Sequence, residues 1–408
     1  MLDRVLDIMC KLIFILFLIY FSSVLSSRIK EVFSFKKIYF SPINVTTLKN
    51  DTKHEPTNAI PMALERWQDK LFLVTPRYRL DVPVTLSYIN ITNMESYKNN
   101  TPILIPYLDQ KMHEISEHNF TSIVKVRADV CDRLWILDNG KINNKQESIP
   151  VIHVYDLKTD LHLRTFDLGH LSIMNSDITN IELDVTSSTC EDAYAYIPDS
   201  ETYRLLVYSW KANNSYAITH NFFHFDPLCG DINLGEIHYQ SQKGIYGIAL
   251  SPTARDGFRT IYFHSIASTM GFAVNSRIIR SGNYDNNQNV YDFKVMGNRG
   301  TNKQATSSSF DMETGVLFYG LLLKNVLGCW NSYSGEEYTE LTQGVISLDN
   351  SIDMYPSDVR VDRTGNLWVL SNSFQIYNKK DYDQNFINVK IYMTPVRQVI
   401  KGSICDEM

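Results

Sequence analysis

The sequence predicts an all-β chain folded as a six-bladed β-propeller, and three observations predict it. A polar turn followed by a short apolar strand recurs six times, with strands beginning near positions 71, 134, 194, 261, 317 and 367. The steps between them are 63, 60, 67, 56 and 50 residues, room for the four short strands and loops of one blade. Helical periodicity is weak throughout, while a composition 44% hydrophobic and 12% aromatic supplies a large core. A length of 408 residues suggests several ordinary domains, yet propellers often exceed that size as one unit. A pair of β-sandwiches is the alternative architecture.

In chain order, Arg4 and Lys11 precede an apolar run over 12–21 and then small and polar residues up to Ser27. This is the layout of a secretory signal peptide over 1–26, which leaves 27–408 as a single propeller domain. The run is too short to cross a bilayer comfortably, although an uncleaved anchor is the competing reading. Residues 28–39 read as a strand and 41–58 as a polar connector. The six modules follow at 63–74, 132–138, 190–197, 259–264, 313–320 and 364–370. Between them, 151–155 and 204–208 read as further strands, each closed by a charged or Asn-rich turn. Only 111–118 suggests a helical turn or two. The last module, within 355–374, is a strand, a turn and a strand that breaks into polar and aromatic residues at 371–374.

An exported chain gives its cysteines a different meaning. Cys10 leaves with the signal, and Cys131, Cys190, Cys229, Cys329 and Cys405 remain, which implies two bridges and one leftover thiol in an oxidising compartment. Counting alone does not pair them. Six N-x-S/T sequons, at Asn44, Asn50, Asn90, Asn99, Asn119 and Asn213, fall in polar stretches and fit a glycoprotein. The formal charge of −6, with no basic stripe, argues against nucleic acid and anionic membranes as partners.

Chemistry-bearing motifs are sparse. The string His113 to His118 places its histidines five apart, so they do not share a helical face as a zinc site requires, and no metal or cofactor is expected. Glu182, Asp358 and Asn372 could be imagined around a divalent cation, but no spacing fixes them together. There is no G-x-S-x-G elbow, no phosphate-cradling loop, and no cysteine with a histidine beside it. His264 reads as a hydrogen-bonded strand residue, Asp138 and Asp199 as turn formers, and Trp135, Trp330 and Trp368 as blade packing.

Several strings taken together resemble the yellow and major royal jelly protein family of insects: 131–140 (CDRLWILDNG), 243–252 (KGIYGIALSP), 297–300 (GNRG), 326–331 (VLGCWN) and the stretch 355–374. They run in family order from about Trp67 to Cys405. The resemblance implies a secreted six-bladed propeller whose central channel binds small molecules. It also implies bridges Cys131–Cys190 and Cys329–Cys405, with Cys229 left as a free thiol or an intermolecular link. Members differ in role: pigmentation factors, dopachrome-converting enzymes, nutritive secretions and binders of biogenic amines. Carried over from the amine binders, the ligand residues are Tyr246, Ser357, Asn372 and Phe374, with Ser373 standing where the family often has glycine. Rings on Tyr246 and Phe374, with hydrogen bonds from Ser357 and Asn372, suit a biogenic amine, catechol or other small aromatic. The leading expectation is a binding protein without catalysis. The alternatives are a dopachrome-converting enzyme, whose proton-transfer groups would lie around Tyr246, His264 and Asp358, and a nutritive or glandular secretion.

Overall fold

The computed structural model describes residues 29–41, 55–92, 94, 101–116, 119–234, 237–282, 290–335, 337–349, 354–374 and 387–406. The signal segment 1–26, the sequons at Asn44, Asn50 and Asn99, and His118 lie outside the described residues.

Six four-stranded antiparallel sheets form the six blades, each with its strands in order A to D from the channel outward. The A strands are Ala63–Trp67, Ile123–Ala128, Glu182–Asp184, Ile245–Leu250, Ala305–Phe310 and Tyr355–Val361. The B strands are Lys70–Val74, Arg133–Asp138, Tyr194–Asp199, Thr260–Ser265, Val316–Leu321 and Asn366–Asn372. All six recurrences seen in the sequence are B strands. Each B strand is sandwiched between neighbouring blades and buried on both faces, so it reads as a continuous apolar run instead of an alternating one. Leu71, Leu73, Trp368 and Ile391 pack blade 6 on blade 1. Trp135, Ile197 and Trp210 pack blade 2 on blade 3.

The ring closes by pairing its two ends. Lys30–Phe35, from the stretch read as a first strand, is the outermost strand of blade 6 and runs antiparallel to Val389–Pro395. Main-chain hydrogen bonds thus join the two ends and cover an edge that would otherwise template pairing with another chain. Two disulfides add to this. Cys131–Cys190 joins the A–B turns of blades 2 and 3, and Cys329–Cys405 ties the C-terminal tail to blade 5. Cys229 is a free thiol, partly buried near the Asp226 carboxylate. Among the described residues no helix is long and apolar enough to cross a membrane.

The tryptophans read as packing do pack, and two of them also clamp turns. Trp135 Nε1 donates to Asp129 at 2.8 Å, and Trp368 Nε1 donates to Asp362 at 2.8 Å, each aspartate sitting six residues earlier in an A–B turn. The same carboxylates accept backbone N–H groups of the turn, so each stabilises its hairpin. The 111–118 segment holds a single 3-10 turn, Gln110–His113, in which His113 is buried and its Nε2 donates to the Tyr107 carbonyl at 3.0 Å. Of the described sequons, Asn90 and Asn213 are exposed and Asn119 is half-buried.

Candidate ligand site at the channel mouth

A cavity of about 1010 Å³ opens at one end of the channel. Two kinds of segment line it: the chain leading into the A strands together with their first residues, and the loops that follow the B strands. The leading segments supply Met62, Lys125, Asp177, Lys243, Tyr246 and Ser357, and the loops supply Tyr78, Lys141, Glu201 and Phe374. The hairpin Asp231–Leu234 and Ile237–Gln240 adds Tyr239 as a further wall. It is anchored by Ile232, buried against Leu322 and Tyr355.

Four A strands slip register at this end. The shifts fall between Ile123 and Lys125, Ile245 and Gly247, Ala305 and Ser308, and Pro356 and Asp358. A bulge leaves a residue out of the ladder and re-aims its side chain. The residues inside these shifts include Val124, Tyr246, Thr306 and Ser357, and all four line the cavity.

Of the four residues carried over from the resemblance, three face the cavity: Tyr246, Ser357 and Phe374. Asn372 does not line it. Asn372 is fully buried, donates to the Pro61 carbonyl at 2.8 Å and to Ser357 Oγ at 3.0 Å, and accepts the Phe374 N–H at 3.1 Å. It is therefore a positioning residue that fixes a hydroxyl on one side and an aromatic ring on the other. Ser373 turns away from the cavity toward Asn388, so a side chain is accommodated at that position.

Tyr246 is held by its backbone, whose carbonyl accepts Asn180 Nδ2 at 2.8 Å. Burial pushes its phenol pKa up, and the nearby Asp358 and Asp177 charges add to the shift. The glycine after it has a steric purpose. A Cβ on Gly247 would come 2.1 Å from the His264 imidazole, which is fixed by donating Nε2–H to the Thr306 carbonyl at 2.8 Å. Thr306 Oγ1 in turn donates to the Pro356 carbonyl at 2.5 Å, so blades 4, 5 and 6 are stitched together behind the site. His264 is thus the hydrogen-bonded strand residue read from the sequence, and it does not line the cavity.

Sequence reasoning missed Tyr78. Its ring centroid lies 4.7 Å from that of Phe374, with the planes tilted by 42°. The loop that carries it is pinned by the buried Arg77, which donates to the carbonyls of Phe120 at 2.8 Å, Val82 at 3.0 Å and Pro83 at 3.2 Å, and also to those of Thr121 and His113. The available signal was the dipeptide Arg77-Tyr78, three and four residues past the end of a B strand, where loop residues reach the mouth.

Below the cavity the channel is plugged by charge. The A strands of blades 1, 2, 3 and 6 contribute Glu65, Lys125, Arg127, Glu182, Asp358 and Arg360. Lys125 meets Asp358 at 2.6 Å, Arg360 meets Glu65 at 3.0 Å and Glu182 at 3.1 Å, and Arg127 reaches Glu182 at 3.4 Å and Glu65 at 3.5 Å. Three cations balance three carboxylates, which is how so many charges are buried together. Burial lowers the Lys125 pKa to about 8 despite the opposing pull of Asp358. Burial alone would raise the Asp358 carboxyl, but Lys125 and Arg127 outweigh it and hold the pKa low. Glu182 and Asp358 are thus engaged by cations and Asn372 by Pro61 and Ser357, and the three do not converge on an ion.

The residues 121–405 match the family model described as major royal jelly protein. The chain belongs to the yellow and major royal jelly protein family. It is 34% identical over 392 residues to protein yellow of Drosophila melanogaster, covering 93% of this chain and 71% of that one. Protein yellow of Drosophila subobscura is 35% identical over 360 residues, covering 86% of this chain and 62% of the relative. Among solved structures, a calcium-binding regucalcin from Agrobacterium tumefaciens aligns with 82% of this chain and 91% of its own at TM-score 0.44 and 9% identity. Two of the five yellow-family strings quoted from the sequence lie at the mouth: residues 243–252 carry the Tyr246 bulge, and 355–374 carry Ser357 and Phe374 with Asn372 behind them.

Proposed function

We propose that this family member is a secreted glycoprotein that binds a small aromatic or amine ligand at the channel mouth, without catalysis. The observation that carries the reading is the set of aromatic faces on Tyr78, Tyr246 and Phe374 beside the Ser357 hydroxyl, in a concave space of about 1010 Å³. That size suits a small molecule, and aromatic walls with a few fixed polar groups are the usual composition of such sites. Pre-organisation supports binding further: Asn372, Gly247 and Arg77 each fix a lining element before any ligand arrives. Two disulfides support an extracellular setting, and the exposed Asn90 and Asn213 are open to glycosylation.

The groups an isomerase would need are poorly placed for proton transfer. His264 is committed to Thr306 behind the wall, Asp358 is ion-paired beneath the floor, and the Tyr246 phenol is pushed away from neutral pH. Titration calorimetry with dopamine and serotonin tests the binding. Saturable heat is expected with at least one, weakened about tenfold in Phe374→Ala, and no heat from either overturns the reading. Dopachrome decay with purified protein is expected at the buffer rate, and acceleration would replace this proposal with the enzymatic one.

A further inference from the structure

One wall of the mouth carries four charged side chains in alternating order. Lys141 Nζ lies 3.4 Å from Asp177 Oδ1, Lys243 Nζ bonds Asp177 Oδ2, and the same ammonium stands 2.7 Å from Glu201 Oε1. All four line the cavity and all four are partly buried. Their positions are fixed at the backbone. Lys141 also donates to the Ser176 carbonyl at 2.5 Å, Ser200 Oγ donates to Asp177 at 3.4 Å, and the Asp177 N–H donates to Asp199 at 2.8 Å. Burial would raise the Asp177 carboxyl, but Lys243 and Lys141 outweigh it and hold it low, and Asp177 and Glu201 in turn raise the Lys243 ammonium against its own burial.

The ladder and the aromatic faces share one space. Asp177 lines the same cavity as Tyr78 and Tyr246, and its charge acts on both phenols. A ring resting on these aromatics therefore directs its substituent chain at a surface of alternating sign and zero net charge. A lone ammonium brought to Asp177 would be the third cation around one carboxylate. A lone carboxylate brought to Lys243 would be the third anion around one ammonium. A molecule carrying both charges on one carbon avoids each conflict. It lies along the ladder with its ammonium toward Asp177 or Glu201 and its carboxylate toward Lys141 or Lys243, and every group gains a partner of opposite sign.

We propose that the ligand of this mouth is an aromatic α-amino acid, bound as the zwitterion, with its ring on Tyr78, Tyr246 and Phe374 and its two charges on the Lys141–Asp177–Lys243–Glu201 ladder. The proposal rests on the binding reading of the mouth and adds the charge type of the ligand.

The test compares three molecules with one ring: 3,4-dihydroxyphenylalanine, dopamine and 3,4-dihydroxyphenylpropionate, titrated calorimetrically into the full secreted chain at pH 7. The amino acid is expected to bind about tenfold tighter than either singly charged analogue, a margin that narrows with added salt. Lys243→Gln should shift the preference toward dopamine, and Asp177→Asn toward the propionate. Glu201→Gln, at the most exposed end of the ladder with 37% of its side chain accessible, should narrow the margin without burdening the fold. Dopamine binding as tightly as the amino acid, with Phe374→Ala still weakening both, overturns the zwitterion proposal and leaves the binding site standing. No heat from any of the three overturns the site itself.

Discussion

Removing the charge of Asp358 tests whether the channel plug is an ion-pair network that the fold depends on. Asp358 is fully buried and accepts Lys125 Nζ at 2.6 Å, Ser307 Oγ at 2.6 Å, the Leu64 N–H at 3.0 Å and its neighbour Val359 N–H at 3.0 Å. Both carboxylate oxygens are in use. Asp358→Asn keeps the shape but replaces one acceptor with an NH₂ group, so a donor must face either Leu64 N–H or Lys125. It also leaves Lys125, Arg127 and Arg360 opposed by only Glu65 and Glu182. Breaking one side of a buried pair costs about 3–5 kcal/mol, and the donor clash places this variant near 4. Unfolding entropy of about 2.1 cal/mol/K per residue gives a chain of this length about 0.9 kcal/mol/K, so Tm should fall by about 5 °C.

The pH dependence of that deficit identifies its cause. Lys125 has a folded pKa of about 8, below its unfolded value of 10.5, so the unfolded chain binds more protons between these limits. The contribution of this lysine to stability therefore rises with pH across that window and is lost as pH falls through about 8. Without Asp358 the folded pKa drops further, and Lys125 is neutral at lower pH than in the parent. The gap in Tm should accordingly be widest near pH 6 and narrow by pH 9. The double variant Lys125→Met with Asp358→Leu leaves two arginines against two glutamates and should recover at least half of the loss. Circular dichroism melts with both disulfides intact provide the measurement. A deficit under 1 °C at pH 7, or one that widens with pH, would refute the network argument.

Three further outcomes follow from the geometry. Asn372→Ala removes the acceptor for the Phe374 N–H and the donor to Ser357, so calorimetric affinity for a catechol ligand should fall about tenfold although the residue does not line the cavity; Ser373→Gly should leave it nearly unchanged. Cys405→Ser opens a loop of 76 residues, which on chain-entropy estimates costs about 4.5 kcal/mol, and a thermal melt should show a fall of about 5 °C. His113 and His153 are buried with folded pKa values lowered by that burial to about 4, below the ordinary 6.5. Stability from keeping them neutral is present above 6.5 and lost as pH falls through about 4, so His153→Gln should flatten the acid limb of a denaturant-unfolding series by about 2 kcal/mol at pH 5.

The recurring B strands made the fold legible because burial on both faces writes an unbroken apolar run into the sequence. The A strands are less so, and the reason is physical. They face the channel, so Lys125, Arg127, Glu182 and Arg360 carry charge patterns that resemble a solvated strand, and their partners lie in other blades. Arg360 pairs with Glu65 and Glu182, and Lys125 with Asp358, contacts that only ring closure creates. Tyr78 was hidden for a related reason, since no local pattern shows that a loop after the first blade's B strand meets Phe374 of the sixth.

The bulges reconcile these two levels. A regular A strand alternates its side chains between the two faces of its blade, and a stable inner ring of six such strands would offer a ligand little beyond backbone edges. Slipping the register by one residue at the mouth end frees Val124, Tyr246 and Ser357 from that alternation while leaving Lys125, Arg127, Asp358 and Arg360 to hold the plug beneath. Consecutive residues thus take two directions: Ser357 turns to the cavity and Asp358 to the ion pair. The polar turn before each apolar B strand lies at the opposite end of the blade, and the molecule changes from packing to binding at the bulge that opens the A strand.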